Sequence, residues 1–308
     1  MIRYAIAAVL MLGIIGTASA ETLRVGAEQE YKMPSQAIAR AHDGDTIAIE
    51  PGTYFDCSLV KQNDITIEGT GPGVVMTDKT CRGKAILITN GNNITIRNLT
   101  LQRARVADLN GAGIRAQGGN LTVVNVRFLD DQEGILSAPN PAATIRIIGS
   151  EFVGNGRCGG GKGCAHGIYI GPAAALDVEN SRFLDTHAGH NIKSRAASTT
   201  VLNCDIEDGA NGSSSYQIDV SNGGTVRIEG NKFEKGPLAQ NYGTAIIIGE
   251  EGVTHPSDGL VIRNNMLIND TGHETTFVRN ITATPAQLSS NVFKGGRVIP
   301  LAGDGTVR

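Results

Sequence analysis

The sequence predicts an all-β chain wound as a right-handed parallel β-helix, a three-sheet solenoid with a short N-terminal cap helix. Three observations carry this prediction: a strand motif that recurs at coil-length intervals, an Asn that marks one position of the repeat, and a glycine-rich composition poor in aromatics. The motif reads Ile94-Thr-Ile-Arg-Asn98, Leu121-Thr-Val-Val-Asn125, Leu176-Asp-Val-Glu-Asn180, Thr200-Val-Leu-Asn203 and Leu260-Val-Ile-Arg-Asn264. Each is a short alternating run of aliphatic residues, as a half-buried strand requires. Three residues past each mark stands another apolar residue: Leu101, Phe128, Phe183, Ile206 and Leu267. Gly149 and Gly230 hold the same register ahead of Phe152 and Phe233, and Ser290 precedes Phe293.

Successive marks lie from 23 residues apart (Asn180 to Asn203) to 34 (Gly230 to Asn264). One turn of a three-sheet helix takes about two dozen residues, and the surplus must leave as loops. The Asn column is expected to stack its amides along the axis at a turn. A solenoid also needs closed ends. Pro34-Ser-Gln-Ala-Ile-Ala-Arg-Ala41 supplies an amphipathic cap helix, and Gly44 to Tyr54 then reads as strand, turn and strand.

Composition sets the limits. The 40 Gly, the absence of Trp and 4% aromatics suit many short stacked strands better than an ordinary globular core. Residues 1–20 read as a secretory leader: Arg3, an apolar stretch from Ala5 to Gly16, and the Ala18-Ser19-Ala20 cleavage pattern. No later run approaches the roughly 20 apolar residues of a spanning helix, so no transmembrane anchor is expected. The expected product is one domain, residues 21–308, exported to the periplasm or beyond. Without Arg3, 26 of the 27 basic residues face 30 acidic ones, a net charge of −4. That balance argues against a nucleic-acid partner.

Five Cys in an exported chain point to disulfides. Cys158 and Cys164 bracket a Gly-rich loop, Cys57 and Cys81 lie about one coil apart, and Cys204 reads as a buried free thiol.

A second strand series aligns on inward apolar residues at Ile114, Ile135, Ile168, Ile192, Ile218 and Ile246. Equal register in a parallel solenoid makes spatial neighbours about 4.8 Å apart. The next residue along, which points outward, gives the column Arg115, Leu136, Tyr169, Lys193, Asp219 and Ile247. Two residues before the Ile, at the strand entrance, stand Ala112, Glu133, His166, His190, Tyr216 and Thr244. Three rungs thus gather His166, Tyr169, His190, Lys193, Arg195, Tyr216 and Asp219, flanked by Leu136 and Ile247. Between Arg157 and Arg195 lie five Lys or Arg, three Asp or Glu and three of the six His, including His187. A basic patch on an acidic chain suggests an anionic ligand. Arg115, Glu133 and His187 join Arg195 as expected substrate contacts. A bare surface ion pair such as Lys193 with Asp219 would be worth only about 0–1 kcal/mol; three aligned rungs of such residues are less ordinary.

From the cap helix and the Gly-Asp-Thr…Pro-Gly-Thr-Tyr opening through the Asn-marked coils, the chain resembles the pectate-lyase-like superfamily of right-handed β-helix proteins. That resemblance implies the fold and carbohydrate-active relatives: lyases, glycosidases, esterases, epimerases and non-catalytic spikes. Function must therefore come from the site. Ala165-His166-Gly-Ile-Tyr-Ile-Gly171 resembles the Gly-His-Gly coil of polygalacturonases, and Ile192-Lys193-Ser194 their Arg-Ile-Lys coil. Asn191 replaces the Arg of that pattern, and Gln132-Glu133 stands in register where it has two Asp.

Three functions follow as expectations. β-Elimination on a uronate polymer needs a cation for the carboxylate, a base for the adjacent proton and an acid for the leaving oxygen. Arg195 suits the first task, Lys193 or His190 the second, and Tyr169 or Tyr216 the third. Lys193 as base requires a lowered pKa. Hydrolysis needs two carboxylates, for which only Glu133 and Asp219 stand on the face. A glycan-binding solenoid without turnover is the third, and C5-epimerisation would share the first half of elimination. No metal or cofactor is assigned; Ca²⁺ is a possibility, with Asp205, Glu207 and Asp208 as the clustered oxygens.

Overall fold

A computed structural model describes residues 19–159 and 162–308; all but the last two residues of the expected leader fall outside this range. Three parallel sheets of twelve, ten and ten strands wind in order along the chain, so that each strand pairs with its counterparts one coil before and after. Consecutive coils place the three sheets side by side around one core, as the repeats predict.

The core is built by inward columns. Ile114, Ile135, Ile168, Ile192, Ile218 and Ile246 are all fully buried and lie directly in register across their strands. On another sheet Phe128, Phe152 and Phe183 stack with ring centroids 4.5 Å apart at both steps and nearly parallel planes. That spacing is the rung repeat imposed on side chains. The helix Pro34–Arg40 closes the N-terminal end, burying Ala37 and Ile38 over the first coil.

The Asn-marked column does something other than the expected amide stacking. Asn98, Asn125, Asn180, Asn203 and Asn264 all carry φ between 51° and 59°. They turn the chain through the left-handed region that Asn tolerates better than most residues. Only Asn125 and Asn98 bond side chain to side chain, at 2.9 Å. The amide ladder runs one residue further on, inside the turn: Asn231 Nδ2 donates to Asn265 Oδ1 at 2.9 Å, and Asn265 Nδ2 to Asn291 Oδ1 at 3.0 Å.

Both expected disulfides are present, Cys57–Cys81 and Cys158–Cys164. Cys204 is a buried free thiol, its pKa pushed up to about 12 by burial. It lies in the turn between the strands Ser198–Leu202 and Asp205–Glu207 rather than within a strand. Cys158–Cys164 closes the antiparallel hairpin of Arg157–Gly159 and Lys162–Ala165, which leaves the coil and overhangs the sheet that carries the candidate site. Among the described residues no helix is long and apolar enough to cross a membrane.

Phe152 sits in the middle of the ring stack and is fully buried. Phe152→Ala should destabilise the chain by about 3–5 kcal/mol, read as a lower urea midpoint. A loss below about 1 kcal/mol would show that the coils repack around the gap.

Candidate functional site

The outward column forms as the register requires: Arg115, Leu136, Tyr169, Lys193, Asp219 and Ile247 follow one another across adjacent strands. Its middle is more enclosed than an open sheet face. Lys193 is 8% exposed and Asp219 1%, so their ion pair at 3.0 Å is buried. The weak surface-pair estimate does not apply to it, because both groups are out of water and removing Lys193 would strand the Asp219 carboxylate.

The cover comes partly from a segment that belongs to neither column. After the strand Thr244–Ile248 the chain turns through Gly249 and Gly252, with φ of 88° and 91°, and presents Glu250 and Glu251 between them. Backbone bonds pin this turn to the coil before it: Gly249 N–H donates to Val220 O and Glu251 N–H to Ser221 O. Glu251 bridges the two cations, taking Lys193 Nζ at 2.5 Å on one oxygen and the Arg195 guanidinium on the other. Glu250 accepts from the Tyr216 hydroxyl at 3.0 Å. Arg195 also donates from Nε to Tyr169 Oη at 2.7 Å and from NH1 to Asn222 Oδ1 at 3.0 Å.

The strand entrances carry a ladder of rings. His166 and His190 stack at 4.7 Å, and His190 and Tyr216 lie at 5.0 Å. Backbone donors fix the imidazoles: His190 N–H donates to His166 Nδ1 at 2.9 Å, and Tyr216 N–H to His190 Nδ1 at 3.2 Å. A neutral ring that accepts at Nδ1 carries its proton on Nε2. His190 Nε2 lies 3.5 Å from Asp219 Oδ2.

Charge states follow from these contacts. Burial, then the neighbouring His190, Lys193 and Arg195, holds His166 well below the usual imidazole range. Burial and Lys193 lower His190 to about 3. Burial works against the Lys193 ammonium, but Asp219 and Glu251 more than offset it and its pKa is raised. Burial raises the Asp219 carboxyl against the pull of Lys193. Burial, then Glu250, pushes the Tyr216 phenol up to about 12.

Two sequence expectations change here. Lys193 as a base requires a lowered pKa, whereas two carboxylates hold it as an ammonium. His190 as a base needs a free ring nitrogen, whereas Nδ1 is engaged by Tyr216 N–H and Nε2 bears the proton. Lys193 is thus a proton donor and His190 a hydrogen-bond donor in this arrangement. A third expectation also shifts: His187 lies in the turn between Arg182–Leu184 and Ile192–Ser194, its N–H on Asn155 O. Its ring is directed toward Gly154, and it lines neither cleft described below.

A cleft of about 410 Å³ opens over the centre, lined by His166, Tyr169, His190, Lys193, Arg195 and, from the loop before Thr244, Gln240. A second, of about 430 Å³, holds Arg115 and Glu133 above Leu136, Pro139 and Pro172. Gly163, Cys164 and Tyr169 line both, so the two clefts adjoin at the hairpin. Arg115 Nε and Glu133 Oε1 are buried without a protein partner. Burial pushes the Glu133 carboxyl well up, against the backbone bond from His166 and the charge of Arg115. Glu133 and Asp219 are three rungs apart, roughly 14 Å at the strand spacing, beyond the ~5–9.5 Å separations of glycosidase carboxylate pairs. In the coil likened to the polygalacturonase Asp pair, Asp130 pairs with Arg105 and Arg157, and Asp131 is buried on Ala104 N–H.

The acidic cluster considered for Ca²⁺ is otherwise engaged. Glu207 pairs with Lys232, while the buried Asp208 accepts from Ser214, Gln217 and Gly236 N–H. Among the described residues no group of three His, Cys, Asp or Glu is arranged to hold a metal ion.

The winding and the groove together define a right-handed parallel β-helix protein. A family model described as the right handed beta helix region matches residues 161–305. Among solved structures, the alginate lyase from Paenibacillus sp. str. FPU-7 is 16% identical with a TM-score of 0.51, covering 93% of this chain and 99% of that one. The ORF18 protein of Geobacillus virus E2 is 16% identical with a TM-score of 0.56, covering 89% of this chain and 56% of its own. A pectin methylesterase from Aspergillus niger is 10% identical with a TM-score of 0.46, covering 91% and 86%. At these identities the likeness is one of fold. No curated protein matches the sequence.

The neutral, buried imidazoles tie stability to pH. An unfolded His titrates near 6.5, whereas folded His190 does so at about 3, so on acidification the unfolded chain takes up protons that the native one refuses. The stabilisation they permit at neutral pH is therefore lost as pH falls from about 6.5 toward 3. His190→Asn, whose side-chain oxygen can still accept Tyr216 N–H, should flatten the decline in thermal midpoint between about pH 7 and 5. Identical slopes for the variant and the wild type would contradict the neutral assignment.

Proposed function

We propose that this chain is an exported polysaccharide lyase that cleaves a uronate-containing polymer by β-elimination. The observation that carries the reading is the bridge from Glu251 to Lys193 and Arg195: the centre of the groove already gathers one carboxylate between two cations. A uronate carboxylate offers the same group to the same pair. It would take the place of Glu251, and the bidentate fork of Arg195 suits it better than a point charge.

Charge states divide the remaining work. With its carboxylate neutralised, the sugar's C5–H becomes acidic. Tyr169 Oη, held by Arg195 Nε at 2.7 Å, is assigned as the base that takes this proton. The electrons form the C4=C5 double bond as the C4–O bond breaks, and the Lys193 ammonium on the adjoining strand protonates the leaving oxygen. Asp219 remains as the counter-ion of Lys193, and the Nε2 hydrogens of His166 and His190 are available to sugar hydroxyls. Lys193 thus serves as the acid, the reverse of the role its position alone suggests. Hydrolysis is the weaker reading, because the two candidate carboxylates are too far apart and Glu133 is buried.

The test is a panel of alginate, polygalacturonate and a neutral polymer, assayed for reducing ends and for ultraviolet-absorbing unsaturated ends. Both should appear together on an acidic polymer. Lys193→Ala and Tyr169→Phe should each lower the rate on the order of a hundredfold or more. Reducing ends without unsaturation would replace elimination with hydrolysis, and wild-type rates in both variants would remove these residues from the chemistry.

A further inference from the structure

Beyond the centre, the groove side of the sheet carries an aromatic pair that the proposed chemistry does not use. Tyr242 stands just before the strand Thr244–Ile248, and His273 just before Thr275–Asn280, the next coil along. Their rings stack at 4.4 Å with planes 30° apart. Tyr242 is nevertheless 50% exposed, and His273 is exposed as well. One ring face of the pair is thus occupied by its partner while much of the rest meets water. Leu238, 57% exposed, lies on the same loop.

Position gives the pair its meaning. His166, His190 and Tyr216 occupy successive strand entrances, and Tyr242 and His273 precede the two strands that follow in the same sheet. At about 4.8 Å per rung, the pair lies one to two rungs beyond Tyr216 along the axis, two and three residues upstream of Thr244 and Thr276, which hold the register of that column. The connection is covalent as well as spatial: Gln240 lines the reaction cleft, and Tyr242 is two residues further along that loop.

We infer that Tyr242 and His273 form a sugar-stacking platform, a distal subsite for a polysaccharide lying along the solenoid axis. The occupant is a pyranose ring of the polymer that enters the central cleft, so the inference rests on this face carrying a glycan; it does not require that the glycan be cut. The chemistry fits that occupant. A pyranose presents a face of C–H groups to the electron-rich face of an aromatic ring, and this contact buries apolar surface while the hydroxyls stay wet. Tyr242 supplies the platform, and His273 keeps its ring from rotating away.

The experiment separates holding from cutting. In the full chain carrying Tyr169→Phe, migration through native gels containing alginate or polygalacturonate measures retention without turnover. Adding Tyr242→Ala should weaken retention about three- to tenfold, the size of one aromatic contact, and Tyr242→Phe should restore it. With Tyr169 intact, Tyr242→Ala should raise KM on long polymer with kcat unchanged, and leave KM for oligosaccharides too short to reach the platform unaltered. Because Tyr242 is on the surface, an unchanged thermal midpoint is expected and shows that the fold is kept. Equal retention of the Tyr242→Ala protein, or no retention by the parent on either polymer, would overturn the platform. Retention that depends on Tyr242 without any cleavage by the wild type would uphold it and overturn the lyase reading instead.

Discussion

Everything on the candidate face depends on register between coils, and register is held from inside by the column of buried Ile from Ile114 to Ile246. A strand alternates its side chains, so a slip of one residue in any coil exchanges its inner and outer sets. In the coil of Ile192 such a slip would drive Lys193 into the hydrocarbon core and expose Ile192. The cost of that exchange, a desolvated ammonium plus an exposed aliphatic, is what makes the outward column of Tyr169, Lys193 and Asp219 a fixed constellation. The main-chain hydrogen bonds between coils do not specify register by themselves; the apolar column does.

Repeats made the winding and the two columns legible in the sequence, an amphipathic run the cap helix, and cysteine spacing both disulfide pairs. A period is a property of the chain that needs no three-dimensional information, and equal register converts it into neighbours. Three things escaped. The turn carrying Glu250 and Glu251 belongs to no column, and only its path over the sheet brings Glu251 onto Lys193 and Arg195; the paired acidic residues between two glycines were the sole trace. The protonation of Lys193 depends on that same missed contact, so a residue read by position as a base becomes a donor. The Asn column was found but its purpose was misread, since the sequence marks the left-handed turn equally whether the amides stack or simply permit the backbone angle.

The site also shows how a solenoid accommodates charge at little expense to its fold. The imidazoles of His166 and His190 accept from main-chain N–H groups of the following coil, so the ladder of rings joins the backbone bonding rather than competing with it. Their neutrality is then a consequence of stacking beside cations away from water. The groove gains two N–H donors whose direction is set by the coil itself, which is the form of preorganisation a rigid strand provides more reliably than a loop.

The buried pair of Lys193 and Asp219 constrains how such a face can change over time. Outward positions elsewhere, like those of Leu136 and Ile247, hold aliphatic residues in the same column without disturbing the coils. Passing between the two kinds of rung by losing Lys193 first leaves the Asp219 carboxylate out of water without its ammonium, an intermediate less stable than either end. Exchanging both residues together avoids it. Sequence drift at these two positions is therefore coupled, and the charged centre is harder to lose by gradual steps than its small size suggests.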